Sequence, residues 1–365
     1  MSTTWEKLAV NKKIVSCLLG AAVLLPGLAT AVPSTAGSAS ATTLSGAAAP
    51  SPTDVRVATM NLSSVSLDKT QGDEQPWRVR RTAVISEIRS ERLDVLGVQE
   101  ANPSKHWAPR LVDGPNQYLD LRNGLNRAGG SWQVTNTAGY NCVDALSSAG
   151  CVYEDNQASN ATRILYNTST ISMVSQGTYQ YQAQGPGNKQ FLAYAVLRTK
   201  ASGREFLLTD THLTPTSSTV RRAQLEELIA ETSQVKGDLP VVAVGDYNTQ
   251  KFDPVAAEMI PAMKAAGYGD TSNQQYGTNN LRDPRPLVLT NRWLNSYNGY
   301  NRNVASFGYE DQHDRIGNTI DWVFASNSLL VKEWKVVCSM NPATMKIRGV
   351  IPSDHNMVRA TLSMP

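Results

Sequence analysis

VVAVGDYN, at residues 241–248, is an apolar run that ends in a carboxylate and an amide. Its length and β-branched content are typical of a buried strand, so Asp246 and Asn248 should lie where that strand ends. Five further motifs also place acidic, amide or imidazole side chains at the edge of an apolar run: VATMNL (57–62), LGVQE (96–100), TDTHL (209–213), TIDWVF (319–324) and PSDHNMV (352–358). Because the strands of a sandwich end along a common edge, we expect one cleft to collect these side chains.

The first 53 residues differ from the rest in composition. Three lysines precede an apolar run over residues 14–28, and Ala29-Thr30-Ala31 has the small-x-small pattern of a signal-peptidase site. We therefore predict a signal peptide over residues 1–31 and a secreted, extracellular product. A membrane anchor is the alternative, but the run is shorter than the roughly 20 residues that a bilayer span needs. Residues 32–53 carry almost no charge and are rich in Ala, Ser, Thr, Pro and Gly, which predicts a linker.

The charge balance of the chain is close to neutral. It has 34 basic and 31 acidic residues, a net charge of +3. Loss of Lys7, Lys12, Lys13 and Glu6 with the leader leaves 31 against 30, or +1. Overall charge by itself therefore does not indicate tight sequence-independent binding to nucleic acid, although a local basic groove stays open.

The cysteines fit an exported protein. Cys142 and Cys151 are nine residues apart in a segment rich in Gly, Ser and Asn that lacks periodicity. In an oxidising compartment we expect them to form a disulfide that closes a small loop. A metal pair is the weaker alternative, because no third soft ligand lies nearby. Cys338 alternates with apolar positions and is predicted to be a buried free thiol.

The periodicity of the remaining chain predicts a layered α/β protein. Strand-like runs occur at residues 55–60, 93–98, 163–166, 191–197, 206–209, 239–244, 322–325 and 358–362. Helical spacing appears around residues 79–88, 118–128 and 220–229, and Asp253-Pro254 should cap a fourth helix. Successive strands without a helix between them, from 162 to 211, argue against a simple parallel sheet. The order favours two packed sheets flanked by helices, in one domain over residues 54–365.

The motif series resembles the endonuclease/exonuclease/phosphatase superfamily, which includes deoxyribonuclease I, apurinic endonucleases, bacterial sphingomyelinases and inositol polyphosphate phosphatases. GDYN followed by a late SDH, with the other motifs in order between and before them, carries the resemblance. It covers essentially all of residues 54–365. It implies a four-layer α/β/β/α sandwich of two mixed sheets with the site at the top of the paired sheets.

Phosphoester hydrolysis needs a cation to neutralise phosphate oxygens, a positioned water and a group that stabilises the leaving oxygen. Glu100 is the predicted hard oxygen ligand for Mg²⁺, with Asn61 beside it. By resemblance, Asp354 contributes to the same metal site. Mn²⁺ and Ca²⁺ are alternative cations.

The catalytic roles follow from the resemblance. It implies that Asp246 and Asn248 hold the attacking water and the phosphate. His355 would act as general base or phosphate contact, and Asp321 would orient it and set its tautomer. His212 would lie across the phosphate as an electrophile or acid.

One position departs from the family pattern. Deoxyribonuclease-like members pair the middle histidine with a glutamate on a strand near residues 162–166, where this chain has no acid. Asn160 stands near that position, and Glu154 and Asp155 are close only in sequence. The acid partner of His212 is therefore open.

Residues 282–317 interleave five arginines with five aromatic residues. From this segment we predict substrate contacts by Arg292, Arg302 and Trp293, with the arginines gripping a polyanion and the aromatic ring stacking on bases. Insertion of the aromatics into a lipid interface is one alternative. A long surface loop packed by its own aromatics is another.

These observations favour a secreted, Mg²⁺-dependent phosphoesterase, most simply a monomeric phosphodiesterase that hydrolyses nucleic acid without an obligate protein partner. A phospholipase C-like or sphingomyelinase-like enzyme acting on membrane lipid, or a phosphatase of small phosphoesters, is the first alternative. A non-catalytic binding protein on the same scaffold is the second. Singly, each motif has an ordinary structural explanation, such as a β-turn for Asp246-Tyr247-Asn248. The prediction therefore depends on the whole set of motifs.

Overall fold

Two large sheets form the centre of the computed structural model, which describes residues 53–69, 73–136, 159–187, 189–273, 287–304, 309–311 and 316–364. The strands are β1 (Asp54–Asn61), β2 (Val95–Gln99), β3 (Trp132–Val134), β4 (Arg163–Asn167), β5 (Ile171–Gln180), β6 (Phe191–Thr199), β7 (Glu205–His212), β8 (Val241–Asp246), β9 (Tyr268–Asp270), β10 (Val288–Thr290), β11 (Tyr309–Asp311), β12 (Ile316–Gly317), β13 (Asp321–Ser326), β14 (Leu330–Val336), β15 (Met340–Asn341), β16 (Lys346–Ile347) and β17 (Val358–Ser363). The helices are α1 (Trp77–Ser90), α2 (Gln117–Arg127), α3 (Ser218–Val235) and α4 (Pro254–Ala265), with 3-10 turns at Val65–Leu67 and Lys105–Arg110.

The sheets pack face to face and carry helices on their outer faces. The first sheet has the order β10-β14-β17-β1-β2-β4-β3 and the second β5-β6-β7-β8-β13-β9. Alternation along β1 shows the layering: Val57 belongs to the apolar cluster between the sheets, whereas Ala58 and Met60 belong to the cluster formed with α1 and α2. A third cluster joins α3 and α4 to the second sheet. The predicted four-layer α/β/β/α sandwich is confirmed.

Strand direction brings the motif residues to one edge. β1 and β2 are parallel, with Asn61 opposite Gln99, and β7 and β8 are parallel, with His212 opposite Asp246. β13 runs antiparallel to β8 and begins at Asp321, directly opposite Asp246. β17 is antiparallel to β1, so the PSDHNMV segment that precedes it reaches the same edge. Both sheets therefore present their functional side chains at one end of the sandwich.

Most predicted elements are present with longer ends than the periodicity indicated. The Asp253 side chain accepts a hydrogen bond from the backbone N–H of Val255, which confirms the predicted cap of α4. The long strand β5 was not predicted. It is an edge strand whose side chains are mostly polar or exposed, so it lacks the apolar alternation of a half-buried strand. None of the helices in the described ranges has the length and apolar character needed to cross a bilayer.

Three sequence predictions concern residues outside these ranges: the leader, the linker up to residue 52 and the Cys142–Cys151 disulfide. Cys338 is a free cysteine, partly rather than fully buried. Burial and the neighbouring Glu87 carboxylate raise the pKa of its thiol to about 12. Such a thiol is a poor nucleophile at neutral pH.

Glu87 provides a test of the packing between α1 and β14. It lines a cavity of about 460 Å³ with Lys335 and Cys338, and burial, reinforced by repulsion from Glu91, raises its pKa to about 8. Because the pKa of Glu87 is higher in the folded than in the unfolded protein, this carboxyl favours the folded state when it is protonated. The contribution to stability is complete below the unfolded-state pKa of 4.5 and is lost as the pH rises through about 8. We expect Glu87→Gln, which mimics the protonated acid, to match the wild-type Tm at pH 4.5 and to exceed it at pH 9. Thermal unfolding at the two pH values measures this, and an equal difference at both would contradict it.

Candidate active site

The side chain of Asn61 bridges the two sheets at the site edge. Its Nδ2 donates to Oε1 of Glu100 at 3.1 Å and to Oδ2 of Asp246 at 3.1 Å. The other oxygen of Glu100 accepts the backbone N–H of Ser64 at 3.0 Å. Glu100 itself has a φ of 55°, a conformation that L residues with bulky side chains rarely adopt. The carboxylate is therefore held at the strand end by contacts with the neighbouring loop, against the local backbone preference.

Two histidines flank the carboxylate of Asp246. The Nδ1 of His355 lies 2.9 Å from Oδ2 of Asp321, and its Nε2 lies 3.9 Å from Oδ2 of Asp246. The Nε2 of His212 lies 3.5 Å from the same oxygen of Asp246. Among the described residues, Asp246 is thus the carboxylate that faces His212. Asn160 instead donates its side-chain amide to the carbonyl of Lys189.

Electrostatics favour the charged form of His355. Burial lowers the pKa of its imidazole, but the charges of Asp321, Asp246 and Asp354 outweigh burial and raise it to about 10. The surrounding carboxylates thus favour the imidazolium form of His355, which donates hydrogen bonds from both nitrogens. With Nδ1 directed to Asp321, Nε2 is the nitrogen that can donate to a phosphate oxygen.

The GDYN turn ties β8 to the end of β7. The backbone N–H of Asn248 donates to Oδ1 of Asp246 at 2.9 Å, and its side-chain amide donates to the carbonyl of Leu213 at 2.9 Å. The backbone N–H of Leu213 in turn donates to the carbonyl of Asp246. Asn248 has a φ of 48°, which asparagine tolerates better than most residues. This turn holds Asp246 and His212 in fixed relation.

The site has the donors for a metal ion. Ligand atoms of Asp246, Asp321 and His355 lie within 4.8 Å of one another, so this buried group could hold a metal. Asn61, Glu100 and Asp354 supply a second set of oxygens, and burial together with repulsion from Glu100 raises the pKa of Asp354. A divalent cation among these oxygens would relieve that repulsion. Carboxylate and amide oxygens are the ligands that Mg²⁺ prefers.

The three residues predicted to contact substrate, Arg292, Trp293 and Arg302, have the following surroundings within the protein. Nε of Arg302 pairs with Asp73 at 2.8 Å, and its Nη1 donates to two backbone carbonyls, those of Ile347 and Gly349. Trp293 packs against the apolar cluster between the sheets. Nε of Arg292 is buried and has no hydrogen-bond partner among the described residues. Arg302 thus joins two loops, and its guanidinium is already engaged.

Asp210 is a residue that the motif analysis overlooked. It is fully buried, and its Oδ1 accepts a hydrogen bond from Nε2 of Gln99 at 2.6 Å. Burial raises the pKa of this carboxyl well above its usual range. A Cβ on Gly97 would lie 2.8 Å from the Asp210 side chain, so glycine is required there. The TDTHL motif did contain a signal for Asp210, because residues two apart in a strand lie on the same face, and Asp210 is two residues before the predicted catalytic residue His212.

The family of the chain follows from these features and from its sequence. Residues 58–355 match the model of the Endonuclease/Exonuclease/phosphatase family, and the chain belongs to this family. Members are generally hydrolases that act on phosphoesters, and they are typically metal-dependent. The resemblance seen in the motif order is confirmed.

Individual relatives are distant. Nocturnin of Drosophila melanogaster is 23% identical over 189 residues, which cover 50% of this chain and 26% of that protein. The chain thus spans about a quarter of the length of this relative. Mannosyl-6-phosphatase Bt3783 of Bacteroides thetaiotaomicron is similar with a TM-score of 0.57 and 16% identity, covering 85% of this chain and 100% of that one. TDP2 of D. rerio, complexed with a single-strand DNA product, is similar with a TM-score of 0.53 and 15% identity, covering 85% and 99%. At such identities the structural likeness shows the shared fold.

Proposed function

We propose that this protein is a Mg²⁺-dependent phosphodiesterase that hydrolyses nucleic acid. The observation that supports hydrolysis most directly is the meeting of Glu100 from one sheet with Asp246, His212 and His355 from both sheets and their loops, linked by Asn61. This arrangement offers a cation site, a base and proton donors around one point, which phosphoester cleavage requires.

We assign the metal site to Glu100, Asn61 and Asp354, because their oxygens are hard ligands and the two carboxylates repel each other. When bound there, Mg²⁺ would supply charge neutralisation at a phosphate oxygen. Mn²⁺ and Ca²⁺ are alternative occupants.

The remaining roles concern proton positions. Asp246 accepts hydrogen bonds from Asn61 and Asn248 and is directed at both histidines, so it is suited to orient the attacking water and accept its proton. His355, charged and oriented by Asp321, donates from Nε2 to a phosphate oxygen. His212 is the more exposed imidazole and is placed to protonate the leaving oxygen.

A phosphatase of small phosphoesters is the second candidate. Arg302, expected to grip a polyanion, is instead engaged by Asp73 and two carbonyls, which weakens the case for an arginine-lined groove. Membrane lipid is a further alternative substrate.

We also propose export of a mature, monomeric protein that starts near Val32, which N-terminal sequencing of protein from the medium would test.

One parallel assay separates these candidates. The purified protein is incubated with Mg²⁺ and single-stranded DNA, plasmid DNA, sphingomyelin, inositol phosphates or mannose 6-phosphate. We expect cleavage of at least one nucleic acid with a higher kcat/KM than for any other substrate. Turnover of mannose 6-phosphate or sphingomyelin alone would overturn the nucleic-acid proposal while leaving phosphoester hydrolysis intact.

Activity should depend on a divalent cation. A chelator should abolish turnover, and added Mg²⁺ or Mn²⁺ should restore it. Without a cation, the site carboxylates Glu100, Asp246, Asp321 and Asp354 would repel a phosphate anion. Glu100→Gln should raise the Mg²⁺ concentration for half-maximal activity by about 10-fold or more. Glu258→Gln, which alters an exposed carboxylate paired with Arg222 on the outer helices, serves as the control. Full turnover in chelator would contradict the metal assignment.

A further inference from the structure

Tyr297 is an aromatic side chain at the site that the proposed chemistry does not use. Its ring meets the His355 ring edge to face, with centroids 5.1 Å apart and planes at 72°. The same two residues form a β-bridge. Despite these contacts, Tyr297 is 50% exposed. A large apolar ring that is half in solvent beside a proposed catalytic histidine presents a surface to whatever the site binds.

The backbone on both sides of Tyr297 is held firmly. The carbonyl of Ser296 accepts the N–H of Asn356 at 2.6 Å, and the N–H of Asn298 donates to the carbonyl of Asp354 at 2.7 Å. The side chain of Asn298 also donates to the carbonyl of Ser353 and to Oδ1 of Asn356. The ring is thus presented by a segment that is hydrogen-bonded, on both sides of Tyr297, to the loop that carries Asp354 and His355. A ring fixed in this way loses little conformational entropy when a ligand covers it.

The ring also lies beside Gly299. Gly299 has a φ of 57°, and a Cβ there would lie 3.4 Å from the Tyr297 hydroxyl, so the side chain folds back over the glycine. Burial, Asp354 and Glu100 raise the pKa of the phenol, which therefore stays neutral. Tyr297 accordingly lies within electrostatic reach of both carboxylates assigned to the metal, as an uncharged planar surface.

We propose that Tyr297 stacks on a planar ring of the substrate, the nucleobase next to the scissile phosphodiester, and so selects nucleotides over sugar phosphates. This proposal deepens the proposed function and rests on it. Stacking is sequence-tolerant because every base has a π face, and it contributes about 1–3 kcal/mol per base. A phosphate held between Glu100 and His355 would leave its attached nucleoside next to Tyr297. An aliphatic sugar phosphate has no planar face to match it.

The test compares a single-stranded oligonucleotide with an oligonucleotide of the same length built from abasic tetrahydrofuran units. The two carry the same phosphates and differ only in the bases. For wild type we expect a higher kcat/KM on the base-bearing strand. Tyr297→Leu should reduce the ratio of the two kcat/KM values by about 10-fold, and Tyr297→Phe should restore most of it. Phe252→Leu is the matched control, since Phe252 is also 50% exposed, and it should leave the ratio unchanged.

A binding measurement separates this proposal from the proposed function. Calorimetry with Mg²⁺ should show tighter binding of adenosine 5′-monophosphate than of ribose 5-phosphate to wild type, and loss of that preference in Tyr297→Leu. If wild type cleaves neither oligonucleotide but shows this preference and its loss, the nuclease proposal fails and the role of Tyr297 stands. An equal fall of kcat on both strands with an unchanged ratio, or equal binding of the two monophosphates by wild type, would overturn the role of Tyr297.

Discussion

His355→Ala should lower kcat by at least about 100-fold while the protein remains folded. The substitution removes a buried imidazole whose Nε2 is directed into the site and whose charged form is favoured by Asp246 and Asp354. Because the hydrogen bond from Nε2 to a phosphate oxygen should strengthen as charge develops in the transition state, KM should change much less than kcat. Steady-state kinetics on the preferred substrate, with circular dichroism to verify folding, measures the effect.

The pairing with Asp321 gives this prediction a second readout. Asp321→Asn removes the negative charge that most raises the pKa of His355, so that pKa should fall from about 10 towards its ordinary value. Activity that needs the imidazolium is lost as pH rises through this pKa, so the alkaline limb of the kcat–pH profile should move to lower pH. His106→Ala is the control, because His106 lies on a 3-10 turn packed against Trp107. Near-normal turnover of His355→Ala would show that the catalytic assignment is wrong.

Arg80→Met should lower the free energy of unfolding by about 3–5 kcal/mol. Arg80 is 1% exposed and its Nη1 donates to the carbonyls of Leu62 and Pro352 at 2.9 Å. Its Nη2 donates to the carbonyl of Ser63 and pairs with Asp68. Methionine fills similar space, but it leaves these carbonyls and a buried carboxylate without the partner that Arg80 provides. Removing one partner of a buried hydrogen bond costs more free energy than replacing both partners.

Denaturant unfolding measures this loss, with Arg78→Met as the matched control on the exposed face of the same helix. Arg80→Lys should recover only part of the loss, since one ammonium cannot reproduce the planar fork. Arg80 connects the loop after Asn61 to the loop before Asp354, so the variant should also bind Mg²⁺ more weakly. A fall in the free energy of unfolding of less than about 1 kcal/mol would show that Arg80 stabilises the protein no more than an ordinary surface arginine does.

Much of the fold could be predicted because its signals are local. The apolar runs of β1, β2 and β8 and the amphipathic faces of α1 and α2 depend on side-chain period along a few residues. The candidate residues Asn61, Glu100, Asp246 and His355 could be named because each lies at the edge of an apolar run, and the structure brings them together. Arg302 shows the limit of this reasoning. A charged side chain in a nonperiodic segment can bind a substrate or join two loops, and composition does not distinguish the two.

The sequence by itself determined the layers, the family and the residues that gather at one edge, because strand period and motif order are encoded in neighbouring positions. Only the tertiary structure decided which groups face each other. Asp246 meets His212 because β7 and β8 are parallel in that register, and it faces Asp321 because β13 runs antiparallel to β8. The hydrogen bond between Asp210 and Gln99 likewise depends on how closely the two sheets approach at Gly97. Such pairings join residues far apart in the chain, 185 positions for Asn61 and Asp246, and their geometry is set by packing of the whole core.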